Sequence, residues 1–260
     1  MSKILILDTE TTGLHAPQAC EIAYFPMPVS FSDFKLKLKD DFESNFDFKS
    51  KVEFDFVFNQ RFKPNKKIDP QAAKITGISD ETVRNCPGID TFSLPEETKI
   101  IIGHNITYDH KVLSYKDLAN PIPVQLICTK ELAQLAFQKD NTKNNKLVTL
   151  IEHFYPEHIE MLQFAHGAYQ DCLFVYMILH KILERLPKID SWEGLVALCS
   201  QGKKSYEELS KLNEVITVMP FGKHKGTNMD EVPKDYLIWL SKQDNLSPAL
   251  ENAIKLQLNS

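Results

Sequence analysis

The chain has 260 residues, 43% of them hydrophobic and 25% charged, with 30 basic against 35 acidic side chains and a formal charge of −5 at pH 7. A chain of this length can remove about 70% of its unfolded surface from water, so it needs neither disulfides nor a structural metal to fold. Its net charge excludes a protein that coats nucleic acid by electrostatics alone and leaves room only for local contacts.

The length fits one extended α/β domain or one domain with a small appendage, and the second is expected. Cys20, Cys86, Cys128, Cys172 and Cys199 are odd in number and scattered, without a C-x-x-C pair. That pattern suits reduced thiols in a cytoplasmic protein and speaks against zinc. The apolar run from Ile4 to Leu7 is too short for a signal peptide, and no segment reads as a membrane span.

Residues 3–7 form an apolar run ending at an acid, and 21–29 form a second apolar segment, so a sheet is expected to begin early. Between Phe31 and Phe62, aromatics alternate with Lys, Asp and Glu, which predicts long solvent-facing strands or an inserted hairpin, kept soluble as a sheet edge by its charges. The stretch IDPQAAKITGISDETVRN predicts a helix, a turn at Gly77 and a second helix capped by Ser79 or Asp80. KIIIGHN reads as a buried strand, with Asn105 capping the helix ITYDHKVLSYKDL ahead of Pro121 and Pro123. Further helices are expected at 128–138 and 146–154, and from Asp171 to Leu186, where Pro187 stops the last.

Alternating strands and helices mark an α/β class. A first domain is expected at 1–187 and a connector at 188–214. A carboxy-terminal module follows at 215–260, with an apolar strand, a basic Gly-bearing loop and two helices.

In a strand, alternate side chains share a face, so Asp8 and Glu10 project together and Thr9 points the other way. Two such carboxylates repel unless a divalent cation lies between them, and an oxygen-rich site suits Mg²⁺ or Mn²⁺. Taken singly, Asp109 and Asp171 read as first-turn acids favoured by a helix dipole, and His166 as a loop histidine.

Together these residues carry a resemblance. DTETTGL at 8–14 resembles the first motif of the DEDD exonuclease superfamily. HNITYD at 104–109 resembles the second, with Tyr108 where Phe is commoner, and His166 with Asp171 matches the third as His-x4-Asp. Residues five apart are turned by roughly 140° on a helix. His166 is therefore expected on a loop loosened by Gly167, with Asp171 at the start of the next helix. Gly167 stands four residues before Asp171, where the tyrosine subclass would need Tyr, so the histidine subclass fits better.

The resemblance implies an RNase H-like α/β fold, a mixed sheet flanked by helices with a small carboxy-terminal accessory module. It implies metal-dependent removal of nucleoside monophosphates from a 3′ end. Asp8, Glu10, Asp109 and Asp171 would hold two Mg²⁺ ions, replaceable by Mn²⁺, about 4 Å apart, clamping the attacking and departing oxygens. His166 would be the general base. Thr11 and Leu14 match positions that hold the 3′-terminal nucleotide, and Asn105 belongs to the second motif as a substrate contact. His104 is expected to order that motif, and Glu21 to be structural.

MPFGKHKGTNMDEVPKDYLIWL at 219–240 resembles the module that follows the nuclease domain in bacterial exodeoxyribonuclease X-like proteins. Lys223 and Lys225, between Gly222 and Gly226, are expected to contact phosphate, while Tyr236 and Trp239 are expected to pack internally rather than stack on bases. Single-stranded DNA is the favoured partner. A 3′→5′ exoribonuclease of the RNase T or oligoribonuclease kind is the alternative, and a non-catalytic nucleic-acid-binding protein is a rival that the full set of acids opposes. Relatives commonly dimerise, but the sequence carries no signature of an oligomeric state.

Overall fold

The computed structural model describes residues 3–43, 57–114, 121–140, 142–186, 188–200, 216–243, 246 and 248–259. The chain divides into two units, Met1–Gly202 and Lys203–Ser260. The first is built on a five-stranded mixed sheet made of β1 (Lys3–Thr11), β2 (Ala19–Met27), β3 (Phe58–Arg61), β4 (Thr98–Gly103) and β5 (Gln125–Cys128), in the order β3-β2-β1-β4-β5. β1–β2 and β2–β3 pair antiparallel, whereas β1–β4 and β4–β5 pair parallel. β1 is central and covered on both faces. Its run Ile4, Leu5, Ile6, Leu7 therefore shows no alternation, and all four side chains are buried.

Among the described residues, seven helices of the first unit surround this sheet: α1 (Phe31–Glu43), α2 (Pro70–Thr76), α3 (Thr107–Leu113), α4 (Thr129–Ala136), α5 (Leu147–Phe154), α6 (Ala168–Arg185) and α7 (Trp192–Ser200). The sheet and its helices form the RNase H-like α/β architecture expected. α6 packs on β1 and β2 and is covered in turn by α4 and α5, so Cys172 through Leu179 are buried without a break. At about 1.5–3 kcal/mol for each fully buried large apolar side chain, this packing fixes α6, and Asp171 in its first turn, against the sheet. α7 falls within the expected connector, 188–214, and packs on β5 and α4.

Four local expectations are corrected. Residues 31–43 form helix α1, not a strand or hairpin. Phe31, Phe34 and Leu38 recur at helical spacing and are buried, while the lysines between them, which create the period-two pattern, belong to its more exposed side. Residues 44–56 of that segment lie outside the described residues. At its end β3 is a sheet edge, alternately half-buried and exposed.

Asp69 caps α2, its Oδ1 accepting from the Gln71 amide at 2.7 Å, and Gly77 closes it at φ 70°. The second helix expected after Gly77 is instead a run of turns. There Ser79 and Thr82 bond each other, the Thr82 hydroxyl donating to Ser79 O at 2.9 Å, and Asp80 takes the Ile68 amide. Ser79 O still takes the Val83 amide at 3.2 Å, but past it the Arg84 and Cys86 amides bond only three residues back, so the segment stays in turns.

Asn105 does not cap α3. It lies at φ 72°, exposed, and Ile106 holds the cap position with no side-chain hydrogen bond. In the second unit, the expected apolar strand is reduced to the single bridge Val218↔Asn228, followed by α8 (Lys234–Leu240) and α9 (Pro248–Asn259). A 3₁₀ segment at Pro156–Phe164 was not expected. Among the described residues no helix is long and apolar enough to cross a membrane, and all five cysteines are free thiols.

Candidate active site

β1 outruns its parallel neighbour. Its pairing with β4 ends at Ile6↔Ile102, whereas its pairing with β2 continues through Asp8↔Ala23 and Glu10↔Glu21. One edge of the acidic stretch is thereby released from the sheet. α6 brings Asp171 to the face that carries Asp8 and Glu10, and carboxylate oxygens of the three lie within 4.8 Å of one another.

Asp109 arrives differently. Thr9 points to the opposite face with Leu5 and Leu7, which pack with Ile106 and Val112 at α3. From α3, Asp109 Oδ1 accepts from the Thr9 amide at 3.1 Å and from its hydroxyl at 2.7 Å. The structure thus groups three of the four predicted acids directly and ties the fourth to the residue between two of them.

Glu21 fixes this arrangement. One oxygen accepts from Arg61 Nε at 3.0 Å and the other from the Ala168 amide at 3.0 Å, so a strand β2 carboxylate holds the first turn of α6. The structural role read for Glu21 has this concrete form. His166 lies just before, exposed, at φ 67°, a backbone conformation that costs an ordinary residue of the order of 1 kcal/mol or more.

The carboxylates are short of positive charge. Burial, with Asp109, Asp171, Glu10 and Glu21 nearby, holds Asp8 well above the usual range. Burial lifts Glu10 to about 8, with Asp171, Glu21 and Asp109 adding to it. Asp109 is lifted by burial to about 7 despite the Thr9 hydrogen bonds. Asp171 is lifted by burial to about 6, with His166 drawing it back. Asp171 Oδ1 is buried with no hydrogen-bond partner. A convergent, all-oxygen donor set with an unpartnered buried oxygen fits a hard divalent cation.

Other predicted residues fall around this cluster. Tyr108 reaches from α3 to the first-motif loop, its hydroxyl 2.9 Å from the Thr11 hydroxyl and donating to Gly13 O at 3.3 Å. This clasp is absent from the sequence reading; its only signal was a Tyr where Phe is commoner. Leu14 is 85% exposed, open to a ligand. His104 bridges Thr129 and Asn145 O at 3.1 and 2.8 Å, and burial holds its imidazole down at about 4, so it is a neutral strut beside the second motif. Lys223 and Lys225 are exposed in the second unit. Gln170 Nε2 is also buried and unpartnered; nothing in the structure explains it.

Residues 5–179 match the exonuclease family, and residues 207–259 match a family described as "Putative quorum-sensing-regulated virulence factor". A "Putative bifunctional exonuclease/endonuclease protein" of Mycobacterium tuberculosis is 27% identical over 132 residues, 47% of this chain and 20% of that protein, so the chain spans a minor part of that relative. The uncharacterized protein YpeB of Escherichia coli is 46% identical over 28 residues, 11% of this chain and 39% of its own.

Among solved structures, Exonuclease X in complex with 5′ overhanging duplex DNA has a TM-score of 0.50 at 19% identity, covering 75% of this chain and 98% of that one. The zinc-bound E. coli exonuclease I complex with single-stranded DNA has a TM-score of 0.52 at 16% identity, covering 81% of this chain and 45% of that one. Those two likenesses bear on the fold. The match over residues 5–179, which spans all three acidic motifs, shows that the chain belongs to the exonuclease family, within the DEDD superfamily of 3′→5′ exonucleases.

Proposed function

We propose that the protein hydrolyses nucleoside monophosphates from the 3′ end of single-stranded DNA. The observation that carries this reading is the convergence of Asp8, Glu10 and Asp171 within 4.8 Å, with Asp171 Oδ1 unpartnered. These three would hold one Mg²⁺, and a second would draw on Asp109 through the oxygen that Thr9 does not hold; Mn²⁺ has the same oxygen preference. When bound, the ions supply charge neutralisation for the phosphate and its attacking and departing oxygens.

The chain's own residues supply the rest. His166, exposed before α6 on a positive-φ turn, accepts the proton of the attacking water as general base. Thr11, clasped to Tyr108, meets the terminal sugar, and Leu14 lies against the last base. Asn105, exposed at the end of β4 in the left-handed conformation, contacts the strand from the second motif. Lys223 and Lys225, exposed in the second unit, neutralise backbone phosphates. DNA is favoured because both solved neighbours described above are complexes with DNA.

The test is incubation with 5′-labelled single-stranded DNA and with RNA of the same sequence, in Mg²⁺, Mn²⁺ or chelator. A ladder shortening from the 3′ end of DNA, absent in chelator, is the expected result. Faster loss of the RNA would transfer the reading to an exoribonuclease. No cleavage of either polymer with any metal would leave only a binding protein.

A further inference from the structure

We infer that the second unit carries its own docking surface for single-stranded DNA, formed by the basic loop 222–226 and the exposed face of Trp239. This deepens the proposed function by assigning part of the substrate grip to a surface outside the candidate active site.

The loop is a closed turn. Met219 N donates to Thr227 O at 2.8 Å, Gly226 N to Met219 O at 2.9 Å, and Lys225 N to Gly222 O at 3.2 Å. Gly222 and Gly226 take φ values of 76° and 86°, and a Cβ at Gly222 would come within 2.6 Å of the Tyr236 hydroxyl. Close approach to Tyr236 therefore requires glycine there, and it presses the loop onto α8. Lys223 and Lys225, both exposed, are displayed from a fixed turn rather than a loose one.

Aromatic rings continue from that turn. His224 meets Tyr236 edge-on with centroids 4.6 Å apart, and Tyr236 lies 5.4 Å from Trp239. Trp239 is not part of the core beneath, which includes Met219, Met229, Val232, Leu237, Leu240 and Ile254, and is 54% exposed. The expectation that Trp239 packs internally is thus corrected. Leu237 and Leu240 are the buried positions of α8, and Trp239 falls on its other side.

Charge selects the occupant. From Ile216 to Asn228 the chain carries Lys223, His224 and Lys225 and no carboxylate, within a protein whose formal charge is −5. Asp230, Glu231 and Asp235 follow outside the loop, and Lys242 follows Trp239. Two cations on a fixed turn, joined to a half-exposed indole through the His224 and Tyr236 rings, match a flexible polyanion whose bases can unstack onto an aromatic ring, which is single-stranded nucleic acid. A duplex offers phosphates but no free base faces. Val218, Phe221 and Ile238 are exposed in the same unit as well, so a protein partner is the reading left if the chain binds no DNA.

The protein holds a built-in reporter. It has two tryptophans, of which Trp192 is 3% exposed and packed edge-on to Phe31 and tilted against Phe34. The full chain in chelator, where DNA stays intact, is titrated with an oligothymidylate while tryptophan emission and the anisotropy of a labelled oligonucleotide are read together. Saturable quenching is expected in step with binding. Trp239→Ala should weaken affinity by about 5- to 150-fold, and Lys223→Ala with Lys225→Ala should flatten the salt dependence by about 0.7 in log–log slope per lysine.

Binding without quenching and with unchanged affinity in Trp239→Ala, preference for duplex or RNA, or no binding at all would each overturn the proposal. Its failure is distinguishable from that of the exonuclease reading. Asp8→Ala abolishes cleavage but should leave the quench intact, whereas a chain that cleaves DNA yet shows no quench loses only this surface.

Discussion

Asp109 reaches from α3 to accept two hydrogen bonds from Thr9, at 3.1 Å from the amide and 2.7 Å from the hydroxyl. The residue between the two first-motif acids is thus the anchor of the second-motif acid, although its side chain faces away from them. A hydrogen bond to a charged group contributes about 1.5–3 kcal/mol. Thr9→Val keeps the β-branched shape and removes one donor. It is expected to lower kcat by roughly tenfold or more with an unchanged circular dichroism spectrum. An unaltered kcat would show that α3 alone holds Asp109.

His166 and Asp8 should separate cleanly in mutant kinetics. His166→Ala is expected to reduce kcat by roughly 10²–10⁴-fold while leaving metal affinity, measured by calorimetry, near that of the unaltered chain. Asp8→Ala should lose both activity and metal binding. Full activity in His166→Ala would remove the histidine from the role of base.

Metal and pH should be linked through the raised carboxylates. Glu10, Asp109 and Asp171 titrate at about 8, 7 and 6 in the folded chain, against ordinary values of 4.5, 3.8 and 3.8. The folded state therefore binds more protons than the unfolded one between about pH 4 and 8, and stability without metal falls as pH rises through that window. Melting of the metal-free chain should drop on going from pH 5 to pH 8, by about 2–4 °C for each kcal/mol lost. Added Mg²⁺ or Mn²⁺ should raise Tm more at pH 8 than at pH 5, because at low pH protons compete for the same oxygens. A metal-induced shift that is equal at both pH values would contradict this linkage.

Phe34 tests the corrected helix. It is fully buried in α1, 4.6 Å from the Trp192 ring and 6.4 Å from Tyr176, whose hydroxyl donates to Asp41 at 2.6 Å. Phe34→Ala should destabilise the first unit by about 3–5 kcal/mol, read from urea unfolding. Lys35→Ala, one position along, should change it by less than about 0.5 kcal/mol. Equal effects would mean that α1 is not packed as described.

The sequence by itself determined the elements whose pattern and chemistry agree. The unbroken apolar runs of β1 and β4 and the long apolar α6 were legible because local pattern and final burial coincide there, and the family was legible from the spacing of its acidic motifs. It misread residues 31–43, where lysines at alternate positions masked the helical spacing of Phe31, Phe34 and Leu38. It misplaced Asn105 as a cap, because the left-handed turn after β4 depends on how α3 leaves the sheet.

Only tertiary structure decided how the acids meet. β4 stops pairing with β1 at Ile6, which frees the strand edge beside Asp8 and Glu10. Glu21 then pins α6 by the Ala168 amide, and Thr9 receives Asp109 from the opposite face. Residues 100 and 147 positions apart are joined in those two contacts. No local pattern encodes them, since they follow from the sheet order and from the desolvation that forces each buried carboxylate to find a donor or a cation.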